Sequence, residues 1–217
     1  MGVPVLILGE SGQGKSTSLR NFEPTSIGIF NVASKPLPFR GKYQKVDHAT
    51  YDTINRGLRA NKLRAYCIDD ANYLLSFDNF NRASDKGYGK FVDMAVSFEK
   101  MLETIASTDE DTVVYVMMHP EYDVNGRMKP KLIGKMLDEK LCVEGLFPIV
   151  LIASRDDSGY HFITQSDGNT PAKSPMGLFN DIVIDNDLAV VDAAIRDYWE
   201  MKPIMDAADD TEGESHE

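Results

Sequence analysis

The sequence predicts an α/β domain built on a mostly parallel sheet with helices on its faces. Three observations carry that expectation. Apolar runs recur at residues 3–8, 27–32, 65–68, 113–118 and 148–153, and unbroken runs of this kind mark strands covered on both faces rather than half-buried ones. Most of the gaps between them hold segments of helical period, the alternation that builds a sheet through crossover connections. A length of 217 residues with 42% apolar composition supplies one sizeable core and is short for two.

The strongest helix falls at residues 88–107, where Phe91, Ala95, Phe98, Leu102 and Ile105 recur at spacings of three and four and form one apolar stripe. A shorter one falls at residues 50–60. Toward the C-terminal end, Asn186 and Asp187 are suited to cap a helix running through Val191, Ile195 and Tyr198, which Pro203 ends. Residues 159–164 alternate apolar and polar ahead of Asp167, Gly168 and Asn169, which predicts a small β-hairpin extension of the sheet. One domain is therefore expected over residues 1–204, with an acidic, disordered tail over 205–217. The last twelve residues carry six carboxylates and no Lys or Arg, which leaves the rest of a chain of net charge −11 at only about −5.

That overall charge argues against a protein that coats duplex nucleic acid through its global field. Cys67 and Cys142 sit in otherwise apolar stretches, so reduced, packed thiols and a cytoplasmic setting are expected. The apolar run at 3–8 is too short for a signal peptide, no run approaches a membrane span, and no membrane partner is expected.

The most specific motif follows the first apolar run. Gly9, Glu10, Ser11, Gly12, Gln13, Gly14, Lys15, Ser16 and Thr17 satisfy G-x-x-x-x-G-K-[ST] in the setting of strand, loop and helix that the motif requires. Its chemistry is that of a triphosphate cradle: glycines turn backbone N–H groups inward, Lys15 reaches the β and γ oxygens, and the Ser16 hydroxyl ligates Mg2+. A helix from Ser18 to Phe22 is expected to aim its positive end at the phosphates.

Hydrolysis also needs a magnesium-side carboxylate and a group that orients water. The run at 65–68 ends in Asp69 and Asp70. Asp69 is placed for the metal and Asp70 for polarising water, the alternative being that both merely start and cap the next helix. The run at 113–118 ends in His119. Strand C-termini line the ligand crevice of a parallel sheet, so His119 is expected near the γ-phosphate as its sensor.

Basic residues cluster just beyond, at Arg127, Lys129, Lys131, Lys135 and Lys140. Two readings stay open for this segment: contact with single-stranded DNA coupled to the phosphate sensor, or a solvated amphipathic helix over residues 132–142 preceded by a turn at Asn125 and Gly126. Arg155 and Lys173 are candidates for a cation inserted into a neighbouring subunit's site. Tyr73, Phe77, Phe80, Tyr88 and Phe91 are expected mainly in packing, with base stacking as the alternative. The acidic tail could compete with DNA, recruit a protein partner or aid solubility.

With these residues in order, the chain resembles the phage-encoded RecA-like P-loop ATPases, a group described as AAA-domain or ATP-binding proteins, some of which act in DNA recombination and single-strand annealing. The resemblance rests on residues 9–17, 66–70, 113–119 and 134–138, on Ala172, Lys173, Ser174 and Pro175, and on Phe179, Asn186 and Asp187. It implies a RecA-like core, ATP and Mg2+ as cofactors, DNA-stimulated ATP hydrolysis, rings or filaments with ATP between subunits, and action on single-stranded DNA. His119 stands where the recombinases carry glutamine, and the net charge is strongly negative. Two other functions stay open, a nucleotide or small-molecule kinase and an ATP-gated assembly module with negligible hydrolysis.

Overall fold

A computed structural model describes residues 1–204, so the acidic tail lies outside the described residues. In chain order the elements are β1 (Val3–Leu8), β2 (Gly28–Asn31), β3 (Gln44–Asp47), α1 (Tyr51–Ala60), β4 (Ala65–Asp69), α2 (Asn72–Asn81), α3 (Gly89–Ala106), β5 (Val113–Met118), β6 (Pro120–Tyr122), β7 (Met128–Pro130), α4 (Lys135–Lys140), β8 (Ile149–Asp156), β9 (Gly159–Ile163), β10 (Val183–Asp185) and α5 (Leu188–Tyr198).

Eight strands form one sheet in the order β10-β9-β8-β1-β5-β4-β2-β3. The six from β3 to β8 run parallel, while β9 and then β10 add antiparallel to the β8 edge. The sheet is extended as expected, but the hairpin turn joins β8 to β9 at residues 157–158, and Asp167, Gly168 and Asn169 lie in the long connection from β9 to β10. Side chains alternate between the two faces. Leu6 and Leu8 of β1 join Ile54, Leu58, Leu75, Phe98 and Ile105 from α1, α2 and α3. Val5 and Ile7 join Leu19, Phe22, Leu188, Val191 and Ile195 on the α5 side. All six residues of β5 are buried, and at roughly 1.5–3 kcal/mol for each large apolar side chain removed from water this central strand is a principal source of stability.

The helices start where local chemistry allows. Thr50 caps α1 reciprocally with Thr53, a capping box that satisfies free N–H groups at the helix start. Asp187 caps α5 by accepting from the Ala189 amide at 3.0 Å, whereas the side chain of Asn186, the other cap candidate, makes no hydrogen bond among the described residues. Asp69 and Asp70 do not cap α2: Ala71 holds that position without a side-chain bond.

Three expectations need correction. The helix expected from Ser18 to Phe22 is a single 3-10 turn, Ser16–Leu19, so little dipole is available there. The expected turn at Asn125 and Gly126 is present, within the hairpin β6–β7 with Gly126 at φ +78, but the helix expected over 132–142 forms only in α4. Leu141 then leaves the helix with extended backbone, so Cys142 lies exposed rather than packed, while Cys67 is buried; both are free thiols. Of the aromatics expected in core or subunit packing, Tyr73 and Phe91 pack against the core, while Phe77, Phe80 and Tyr88 are exposed, Phe80 to 76%. Among the described residues no helix is long and apolar enough to cross a membrane.

Candidate functional site at the ends of three strands

The strand order places β5 between β1 and β4, and the registers bring their C-terminal ends level. Leu8 lies opposite Met118 and Ile68 opposite Val116. Gly9, His119, Asp69 and Asp70 therefore emerge into one crevice. Apolar strand interiors hold these polar ends in place, which is why functional groups gather at this edge of a parallel sheet.

The glycine loop turns tightly. Gly12 and Gly14 have φ of +85° and +90°, a region that side chains other than glycine rarely adopt. Among the described residues the backbone amides of Gly12, Gly14 and Lys15 meet no acceptor, so they form a concavity of donors suited to an anion. Lys15 is buried, and its ammonium donates to the carbonyls of Gly9 at 2.7 Å and Glu10 at 3.1 Å, with His119 Nδ1 at 3.5 Å. Burial lowers its pKa, with Asp70 and Asp69 opposing.

The Ser16 hydroxyl lies between the two carboxylate oxygens of Asp69, at 3.0 and 2.9 Å. Asp69 is 5% exposed. Burial and the adjacent Asp70 push its carboxyl up, and Ser16 and Lys15 offset part of that. One hydroxyl and one carboxylate are the oxygen donors Mg2+ uses when phosphate oxygens and water complete its shell, so the donor set fits that ion. Among the described residues no group of three or more His, Cys, Asp or Glu is gathered to hold a metal by protein ligands alone.

Asp70 sits at φ +61, a left-handed turn that an aspartate tolerates better than most residues. Its carboxylate meets Lys35 Nζ at 2.8 Å and His119 Nε2 at 3.3 Å. Burial alone would raise this carboxyl, yet the hydrogen bonds from His119 and Lys35 hold it down at about 2. A carboxylate this acidic is a weak base, so its chemistry is to accept a hydrogen bond and orient its donor. The Asn72 side chain accepts from the His119 amide at 3.2 Å, and the Tyr73 ring stands edge-on to the imidazole at 6.0 Å.

Lys35 and Asn72 were not singled out from the sequence as site residues, and Tyr73 was read only among the aromatics expected in packing or base stacking. Lys35 lies in the loop after β2, with no motif to mark it. The spacing of Asn72 and Tyr73 from Asp70 is the only sequence signal that places them beside the carboxylates.

The hairpin begins at the residue after His119. Tyr122 donates from its hydroxyl to Glu10 of the glycine loop at 3.1 Å, and the Lys131 amide donates to the His119 carbonyl at 2.9 Å. Arg127, Lys131, Lys135 and Lys140 are exposed, and Val124 at the tip is fully so. Lys129 differs, because Glu121 and Asp138 both pair with it. Arg155 lies over the ring of Tyr160 at 5.1 Å, and Tyr160 contacts the flank of the glycine loop at Gly14. Lys173 is bridged through its backbone to Val150.

Comparison with models of known protein families finds no match, and comparison with curated proteins finds none either. The functional reading therefore rests on this geometry alone.

Proposed function

We propose that the chain is a magnesium-dependent ATPase of RecA-like architecture that acts on single-stranded DNA and assembles with copies of itself. The observation that carries the nucleotide half is the meeting of Lys15, Ser16, Asp69 and His119 at the ends of β1, β4 and β5. A triphosphate in the loop takes hydrogen bonds from the free amides, and its β and γ oxygens replace the loop carbonyls around Lys15. Ser16 and Asp69 would hold Mg2+, which supplies charge neutralisation on the phosphates. Asp70, fixed by Lys35 and His119, accepts a hydrogen bond from the attacking water and orients it.

The DNA half is supported by the exposed basic residues from Arg127 onward, which follow the first strand of a hairpin that starts at the residue after His119 and is tied back to the loop through Tyr122 and Glu10. Such a segment joins phosphate occupancy to polyanion contact in one short mechanical path.

A second reading, a nucleotide-gated clamp with negligible turnover, is favoured by the double pairing of Asp70. The two differ in phosphate release. Titration of a fluorescent ATP analogue into the unsubstituted chain and Lys15→Ala tests the shared step: the former binds with Mg2+, the latter does not. Equal binding by both would remove the nucleotide reading.

A further inference from the structure

One buried polar group beside the glycine loop is left unused by this chemistry. Asn186 is 1% exposed, and neither its Nδ2 nor its Oδ1 has a hydrogen-bond partner among the described residues. A primary amide buried with both ends unpaired is costly, and native structures rarely keep one without a use.

Its position is fixed relative to the loop. Arg20, in the turn that leaves the loop, donates to the Asn186 carbonyl at 2.5 Å, and Asn21 donates to Asp187 at 2.6 Å. A Cβ placed on Gly14 would meet Tyr160 Cδ1 at 2.6 Å and Asn186 Oδ1 at 3.3 Å. The loop backbone, an aromatic ring and an unpaired amide thus converge on one point. Tyr160 is 39% exposed, and the exposed Arg155 guanidinium lies 5.1 Å from its ring centroid.

We propose that Tyr160 and Asn186 form a nucleobase subsite and that Asn186 selects adenine over guanine. The proposal rests on the reading that the glycine loop holds a nucleoside triphosphate. The base moves the Tyr160 ring off Gly14, stacks on it and takes the Arg155 guanidinium on its far face; planar aromatic and guanidinium groups both stack on bases. The displaced ring opens the amide. Asn186 then offers one donor and one acceptor, which match the N7 acceptor and N6 donor of adenine, while guanine presents two acceptors at N7 and O6. Recognition at Tyr160 is therefore tolerant of base identity, and recognition at Asn186 is not.

The test is calorimetric titration of ATP, GTP and inorganic tripolyphosphate into the full chain with Mg2+, alongside Tyr160→Ala, Asn186→Leu and Asn186→Asp. The unsubstituted chain is expected to bind ATP about tenfold more tightly than GTP, the scale of one bidentate amide contact. Tyr160→Ala weakens ATP and GTP alike by about tenfold. Asn186→Leu abolishes the ATP preference, whereas Asn186→Asp keeps an acceptor for adenine N6 but loses the donor to N7, so it weakens ATP by about tenfold and stays mismatched to the two acceptors of guanine. Tripolyphosphate, which has no base, binds all the chains equally. Equal affinity for ATP and GTP in the unsubstituted chain overturns the proposal, as does unchanged ATP affinity in Asn186→Asp, the near-isosteric variant that keeps the proposal falsifiable if Asn186→Leu does not fold. Failure of the unsubstituted chain to bind tripolyphosphate or any nucleotide is a separate result, and it defeats the triphosphate reading itself.

Discussion

The hydroxyl of Tyr122 lies 3.1 Å from the carboxylate of Glu10, joining the hairpin after His119 to the loop that begins β1's C-terminal turn. Glu10 occupies a variable position of the glycine motif, and Tyr122 lies 112 residues away in sequence. Neither residue alone marks the link. Together they give the hairpin a direct hold on the loop.

Tyr122→Phe removes that hold and little else, since the ring stays. The expected outcome is lower DNA stimulation of ATP turnover, by about two- to tenfold for one hydrogen bond, with nucleotide affinity nearly unchanged. Steady-state turnover across a DNA titration measures it, and full stimulation in the variant would break the proposed coupling.

The five basic residues are not equivalent. Lys129 is already paired with Glu121 and Asp138, so its charge is largely spent within the chain. Lys131→Ala, Lys135→Ala and Lys140→Ala should each weaken single-stranded DNA binding and lower the slope of log affinity against log salt by about 0.7. Lys129→Ala should change that slope less. Fluorescence anisotropy at several salt concentrations separates them, and a uniform effect of all four would contradict the distinction.

Asp70 separates turnover from gating. Asp70→Asn keeps the side chain's size but weakens its hold on Lys35, His119 and water. Single-turnover phosphate release should fall on the order of tenfold or more while ATP affinity changes little, as expected when only water orientation is lost. Release that is negligible before and after the substitution would favour the clamp.

Away from the site, Arg196 staples the α5 side. It pairs with Asp192 and donates to the carbonyls of Asp111, Arg64 and Lys202, and Tyr115 donates to the same Asp192 at 3.0 Å. Arg196→Ala leaves a buried carboxylate uncompensated, so unfolding free energy should drop by about 3–5 kcal/mol. Urea denaturation measures it; a loss under about 1 kcal/mol would show the network to be dispensable.

The strands were the most legible part of the sequence because β1, β4, β5 and β8 are buried on both faces, and such strands must be apolar throughout. β3 and β10 were not legible. They are short edge strands, and β3 is exposed along its whole length, so burial left no pattern to read. Asp69 and His119 were placed by their positions at strand ends, which topology converts into proximity. Lys35, Tyr122 and Asn186 reach the site from loops and edges, where only the folded chain brings them near. The segment after the loop shortens to one 3-10 turn, and the basic stretch is helical only from Lys135 to Lys140.

The most direct test is steady-state ATP turnover by the unsubstituted chain and Lys15→Ala, with and without Mg2+ and single-stranded DNA, with particle size measured on the same samples. The expected result is magnesium-dependent hydrolysis that rises with DNA as particles grow, and none in Lys15→Ala. A chain that neither binds nor hydrolyses ATP under any of these conditions would contradict the assignment of the glycine loop and the function built on it.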